Sequence, residues 1–201
     1  RLAARLEQAG LYRVLLTRSD DTYVPLDERV RMARKAGAAL FVSIHADSLP
    51  RNEGDAQGAT VYTLSKKASD TQAAQLADTE NRADVIAGVD LKTEPDDVAD
   101  ILLDLVRRET KTFSLQFAHD VVSDLRGAAR LHKEPIKSAG FRVLLAPDVP
   151  SVLVELGYVS DRDDLKSLMS DAWRNKTADS IAKAIETYFS AHVAATPSGA
   201  R

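Results

Sequence analysis

Two short runs, Leu40 to Ala46 (LFVSIHA) and Ser151 to Glu155 (SVLVE), constrain the fold more than anything else in the chain. Each is apolar on both faces instead of alternating, as in strands at the middle of a sheet covered by helices on each side. An earlier β-rich run, Arg13 to Thr17, is joined to the first of them by PLDERVRMARKAG. That connection carries apolar residues at Leu26, Val30 and Ala33, with Pro25 near its start and Gly37 at its end, the marks of a helix. Strand, helix and strand at this spacing form a βαβ unit, so the sheet is at least partly parallel. Ala59 to Leu64 and Arg142 to Ala146 are two further β-rich runs.

From Lys66 to Arg130 the chain turns charged and helical, with no expected strand. One helical block closes near Gly88, Asp90 to Glu94 links, and a second block opens with Pro95 and gathered acids in its first turn, as the helix dipole favours. The last helix, Asp171 to Phe189, repeats apolar residues at Trp173, Ala178, Ile181, Ile185 and Phe189 and should pack on the sheet. The division is therefore residues 1–190 as one α/β domain with 66–130 as a helical insert, and 191–201 as a disordered tail. The first ten residues read as the end of an amphipathic helix without an N-cap, so an upstream element is expected before Arg1.

Composition removes several function classes. A net charge of -3 argues against a nucleic-acid protein. No apolar run approaches the ~18 residues of a membrane span. The absence of cysteine excludes disulfides, thiolate metal sites and a cysteine nucleophile, and leaves cytoplasm and periplasm both open.

Two residues stand out. His45 ends one apolar strand, and ligands of open α/β sheets bind beyond the carboxyl ends of strands. Glu155 ends another, with Gly157 behind it to let the backbone turn. A lone histidine in that place can be a packed core residue, and the glutamate can be one half of a salt bridge. Taken together, both side chains reach the same rim of a parallel sheet, and an imidazole converging with a carboxylate suits a hydrolytic zinc site. His119, His132 and His192 lack strand-end placement and read as surface or packing residues.

The segments LTRSDDTYVPLDERVRMARKAGAALFVSIHADS and SAGFRVLLAPDVPSVLVELGYVSDRDDLKSL resemble the zinc-dependent N-acetylmuramoyl-L-alanine amidases of bacterial cell division, from Leu11 to about Phe189. The resemblance implies a mixed, largely parallel sheet of about six strands with helices on both faces. It also implies Zn2+ as cofactor, His45 as a metal ligand and Glu155 as the catalytic residue. The family's two further ligands, a histidine in a Gly-His-Gly-Gly loop and a glutamate, are missing from this sequence and are expected upstream of Arg1. A helix of the insert is implied to lie over the site, with Glu80 as the inhibitory metal ligand and Asp84 as the runner-up. Ile101, Leu102 and Leu105 form an apolar stripe that could cover the site, receive an activator or be plain core. The function implied is periplasmic hydrolysis of peptidoglycan at the amide between N-acetylmuramic acid and L-alanine, during septal wall splitting. It would be autoinhibited and released by a LytM-domain activator. The alternatives are a zinc carboxypeptidase-like peptidase and a non-catalytic peptidoglycan-binding module.

Overall fold

Strand-forming runs become a sheet only where they find partners, and four do so. The computed structural model describes residues 1–48, 57–88 and 100–195, of which 100–107 and 192–195 by backbone alone. Among them the strands are β1 (Phe41–His45), β2 (Ala59–Leu64), β3 (Leu131–Ala139) and β4 (Ser151–Glu155), in the order β1-β4-β2-β3. β1 lies parallel to β4 and β2 parallel to β3, while β2 and β4 run antiparallel. The sheet is mixed, as expected, with the doubly apolar β4 at its centre.

Helices cover both faces. On one side α2 (Leu26–Lys35), α3 (Thr71–Asn81) and a 3-10 turn at Arg142–Leu144 bury Leu26, Ala33, Leu76, Phe141 and Leu144 against Tyr62 and Leu153. On the other, α1 (Leu2–Gln8), α5 (Asp100–Leu125) and α7 (Asp171–Ala195) bury Leu6, Phe117, Val121, Ile181 and Tyr188 against Val61, Val152 and Val154. Two short helices, α4 (Ala83–Ile86) and α6 (Arg162–Met169), complete the described elements.

The strand count is four among the described residues, not about six, and the differences have physical causes. Arg13 to Thr17 is not a strand: among the described residues no ladder partner lies beside it, and Leu15 and Leu16 face solvent. A β-rich run without a hydrogen-bonding neighbour has nothing to fix it as a strand. Arg142 to Ala146 is a 3-10 turn followed by loop, with Leu144 N–H donating to the Phe141 carbonyl. Its buried residues, Val143, Leu144 and Ala146, do not alternate, so no sheet face could take them all. β3 was unexpected because it reads as polar: LHKEPIKSA has charge and a proline inside it. It is an edge strand, where a missing N–H is tolerated.

The helical blocks appear as expected up to Gly88, whose φ of 76° ends the first. The final helix runs past Phe189 to Ala195, so the tail assigned from 191 is helical in its first part. Pro95, the 90–94 linker, the stripe Ile101, Leu102 and Leu105, and residues 196–201 are not among the described positions or side chains.

Candidate active site

The site is built by period-two alternation on neighbouring strands. Along β1, Phe41, Ser43 and His45 point to the α2–α3 side, and on β4 so do Leu153 and Glu155. The parallel register pairs His45 with Glu155 directly, which brings both side chains to one rim. The chain then leaves both strands together: Leu156 N–H donates to the His45 carbonyl at 3.0 Å and Val159 N–H to the Asp47 carbonyl at 2.8 Å. That double tie fixes Asp47, whose own N–H donates to Glu155 Oε1 at 2.9 Å.

His45 is held by its two ring nitrogens. Nε2 shares a hydrogen bond with the Ser43 hydroxyl at 3.0 Å, two residues back on the same strand face. Nδ1 faces acids, with Glu80 Oε2 at 3.2 Å and Asp47 Oδ1 at 3.4 Å. Glu80 comes from the last turn of α3, which crosses this face of the sheet. Its neighbour Asn81 grips the backbone beside it: Nδ2 donates to the Gly140 carbonyl and Oδ1 accepts from Arg142 N–H, each at 2.8 Å.

Three carboxyls and one imidazole therefore converge. Burial works against charge on Glu155, and the adjacent Asp47 carboxylate adds repulsion; together they push it up to about 10. Glu80 is raised to about 7, by burial first, against the opposing pull of His45. Burial opposes protonation of His45, but the hydrogen bond to Asp47 and the Glu80 charge prevail and raise it. Burial likewise raises Asp47, and its contact with His45 outweighs that and lowers it. Such a group of acids is short of positive charge.

A divalent cation fits that deficit. His45, Asp47 and Glu155 offer ligand atoms that all lie within 4.8 Å of one another. Asp47 Oδ2 and Glu155 Oε2 are buried with no hydrogen-bond partner among the described residues. Nitrogen and oxygen donors of this kind suit zinc among other ions.

A model of the family described as N-acetylmuramoyl-L-alanine amidase matches residues 1–187. The chain belongs to the N-acetylmuramoyl-L-alanine amidase family. It is 38% identical over 190 residues to N-acetylmuramoyl-L-alanine amidase AmiC of Escherichia coli O6:H1, covering 94% of this chain and 45% of that protein. It is 39% identical over 175 residues to N-acetylmuramoyl-L-alanine amidase AmiA of Escherichia coli K12, covering 87% of this chain and 60% of that one. The chain thus spans about half the length of these amidases. The solved structure of N-acetylmuramoyl-L-alanine amidase AmiC2 from Nostoc punctiforme superposes with a TM-score of 0.56 at 27% identity, over 94% of this chain and 78% of that one.

Of the residues singled out from the amidase sequence, the structure brings His45, Glu155 and Glu80 together. It does not bring Asp84. That carboxylate is buried against the start of α2, where Oδ1 accepts from the Tyr23 hydroxyl at 2.6 Å and from Leu26 N–H at 3.0 Å. One turn of helix puts residues 80 and 84 on a shared face only if the helix is unbroken. Here α3 stops at Asn81 and α4 begins at Ala83. Asp47 is the site residue that sequence reasoning passed over. Its signal was its place two residues beyond His45, at the mouth of the strand.

Proposed function

We propose that this chain is the catalytic part of a zinc-dependent N-acetylmuramoyl-L-alanine amidase that splits septal peptidoglycan in the periplasm. The observation that carries the reading is the in-register pairing of His45 with Glu155 at one rim, with Asp47 beside them. No described helix is long and apolar enough to cross a membrane.

His45, through Nδ1, and Asp47 would hold the ion. When bound, it polarises the scissile carbonyl and makes water acidic enough to be deprotonated near neutral pH. Glu155 takes the proton from the attacking water at Oε2, the oxygen without a partner among the described residues, while Asp47 N–H fixes Oε1. The same carboxyl then hands the proton to the leaving amine of L-alanine, so one residue serves as base and acid in turn. Ser43 keeps the His45 ring oriented through Nε2. Glu80, facing Nδ1, stands where water and substrate must enter and keeps the site closed. A LytM-domain activator of the division machinery would withdraw it.

The test is product analysis with the full-length, metal-loaded protein on purified sacculi. An amidase releases glycan strands free of peptide and exposes new L-alanine amino termini. New amino termini at any other stem position would identify a peptidase and overturn the reading. Glu80→Ala should raise basal hydrolysis by about ten- to a thousand-fold, the range for opening a state populated at roughly 0.1–10%. An unchanged rate in a folded protein would remove Glu80 as the blocking group.

A further inference from the structure

Glu80 can close the site only while something holds the end of α3 in place. The body of α3 is fixed by core packing, since Ala73, Leu76 and Ala77 are buried. The segment that follows has no such support: Val85 and Ile86 are 55% and 83% exposed. Asp84 is the exception, 1% exposed among these neighbours. Its carboxylate caps a helix far away in sequence. α2 begins after Pro25 without a side-chain cap of its own, and Leu26 N–H finds its acceptor in Asp84. The Tyr23 hydroxyl donates to the same oxygen, and the Arg29 guanidinium lies over the Tyr23 ring, 5.7 Å from its centroid.

We propose that Asp84, received by the Tyr23 hydroxyl and Leu26 N–H, is the latch that holds Glu80 over His45. Asp84 is a positioning residue that acts through Glu80. The inference rests on reading Glu80 as the blocking group. It adds that the opening unit is the last turn of α3 together with the stretch to Gly88, tied by the Asn81 side chain and by Asp84, and not the whole of α3. An activator therefore needs to free the Asp84 carboxylate and loosen the Asn81 grip, and the core under Leu76 stays closed.

The experiment compares Asp84→Ala, Asp84→Asn and Tyr23→Phe in the full-length protein, alone and combined with Glu80→Ala. Two signals are read: deuterium uptake over residues 80–88 in metal-free and metal-loaded protein, and hydrolysis of sacculi. Loss of a charged hydrogen-bond pair should speed exchange there by roughly ten- to a hundredfold. Hydrolysis should rise by a similar factor in Asp84→Ala and less in Tyr23→Phe. Asp84→Asn keeps an acceptor oxygen and should lie nearer the parent on both signals. On a Glu80→Ala background, Asp84→Ala should add no further activity; a residue that merely stabilised the fold would lower it. Unchanged exchange in Asp84→Ala overturns the latch. So does faster exchange without increased hydrolysis when Glu80→Ala does increase it. If Glu80→Ala leaves hydrolysis unchanged while Asp84→Ala speeds exchange, the blocking role of Glu80 fails and the latch to it falls with it. Should Asp84→Ala not fold, Tyr23→Phe removes one oxygen and carries the same comparison.

Discussion

Glu155→Gln separates chemistry from architecture at the candidate active site. Glu155 is completely buried at the end of the central strand, and its Oε1 accepts from Asp47 N–H at 2.9 Å. Glutamine keeps that acceptor and nearly the same volume, and its amide N–H2 takes the place of Oε2, which has no partner among the described residues. The packing cost is therefore small, but the group can no longer accept a proton. A general base of this kind is worth about 10²–10⁴-fold, or about 2.7–5.5 kcal/mol of barrier. The same change alters stability in the metal-free protein, with a sign that can be worked out. The folded carboxyl holds its proton to about pH 10, whereas the unfolded chain releases it near the ordinary 4.5. Folding then takes up a proton between those values, so stability falls as pH rises, by at most about 1.4 kcal/mol per pH unit. Glutamine abolishes that contribution. Urea unfolding of chelated protein at several pH values should show a flatter pH dependence for the variant, and initial rates on sacculi should show the loss of hydrolysis. A variant that keeps more than about a tenth of the parent rate while melting normally refutes the assignment of Glu155 as base.

Other outcomes follow from nearby geometry. His45→Ala should lower bound metal by at least about tenfold in equilibrium dialysis, because it removes the one nitrogen donor of the His45, Asp47 and Glu155 group. Asp70 caps α3 through Ala73 N–H at 2.8 Å and pairs at 3.2 Å with Lys137, whose side chain is 3% exposed. Asp70→Ala should cost about 2–4 kcal/mol and roughly 5–15 °C in Tm, by losing a cap and leaving the buried Lys137 ammonium with the Gln72 amide oxygen but no counter-charge. Burial alone would raise Asp70, yet the Ala73 N–H and Lys137 lower it, so its contribution is present above about pH 4 and fades as acid is added through its depressed value, which acid melts should show. Gly58→Ala should destabilise by about 1–3 kcal/mol in the same melts. Gly58 has φ of 79°, and an added Cβ would sit 2.7 Å from the carbonyl carbon of Leu131.

How far the sequence carries depends on whether a residue's neighbours are local. β1 and β4 were legible because full burial forces an apolar run, and their last residues, His45 and Glu155, were legible because nothing but a site or a strong partner explains polar groups there. The helix boundaries at Pro25 and Gly88 were equally local. β3 was hidden, since an edge strand is not required to be apolar. Asp47 was hidden because its role comes from a backbone N–H aimed at a residue more than a hundred positions away. Asp84, the runner-up to Glu80, lies away from the site because α3 ends at Asn81, and its partners, Tyr23 and Leu26, precede it by about sixty positions, which no local pattern shows.

The polar β3 also governs how this molecule meets others of its kind. Among the described strands none covers its outer side, the surface on which a foreign strand adds most readily, and Ser69 closes one end of it, its N–H donating to the Ser138 carbonyl and its hydroxyl accepting from Ser138 N–H. Pro135 lies where the pairing with β2 shifts register, between Ala59 and Val61, and Lys133 and Glu134 put exposed charge on the same part of the strand. A passing extended chain would meet that irregularity along the strand and would have to desolvate charge to dock. The residues that concealed the strand from sequence reading thus also guard the sheet against unwanted growth, and making them apolar would trade a soluble edge for an aggregating one.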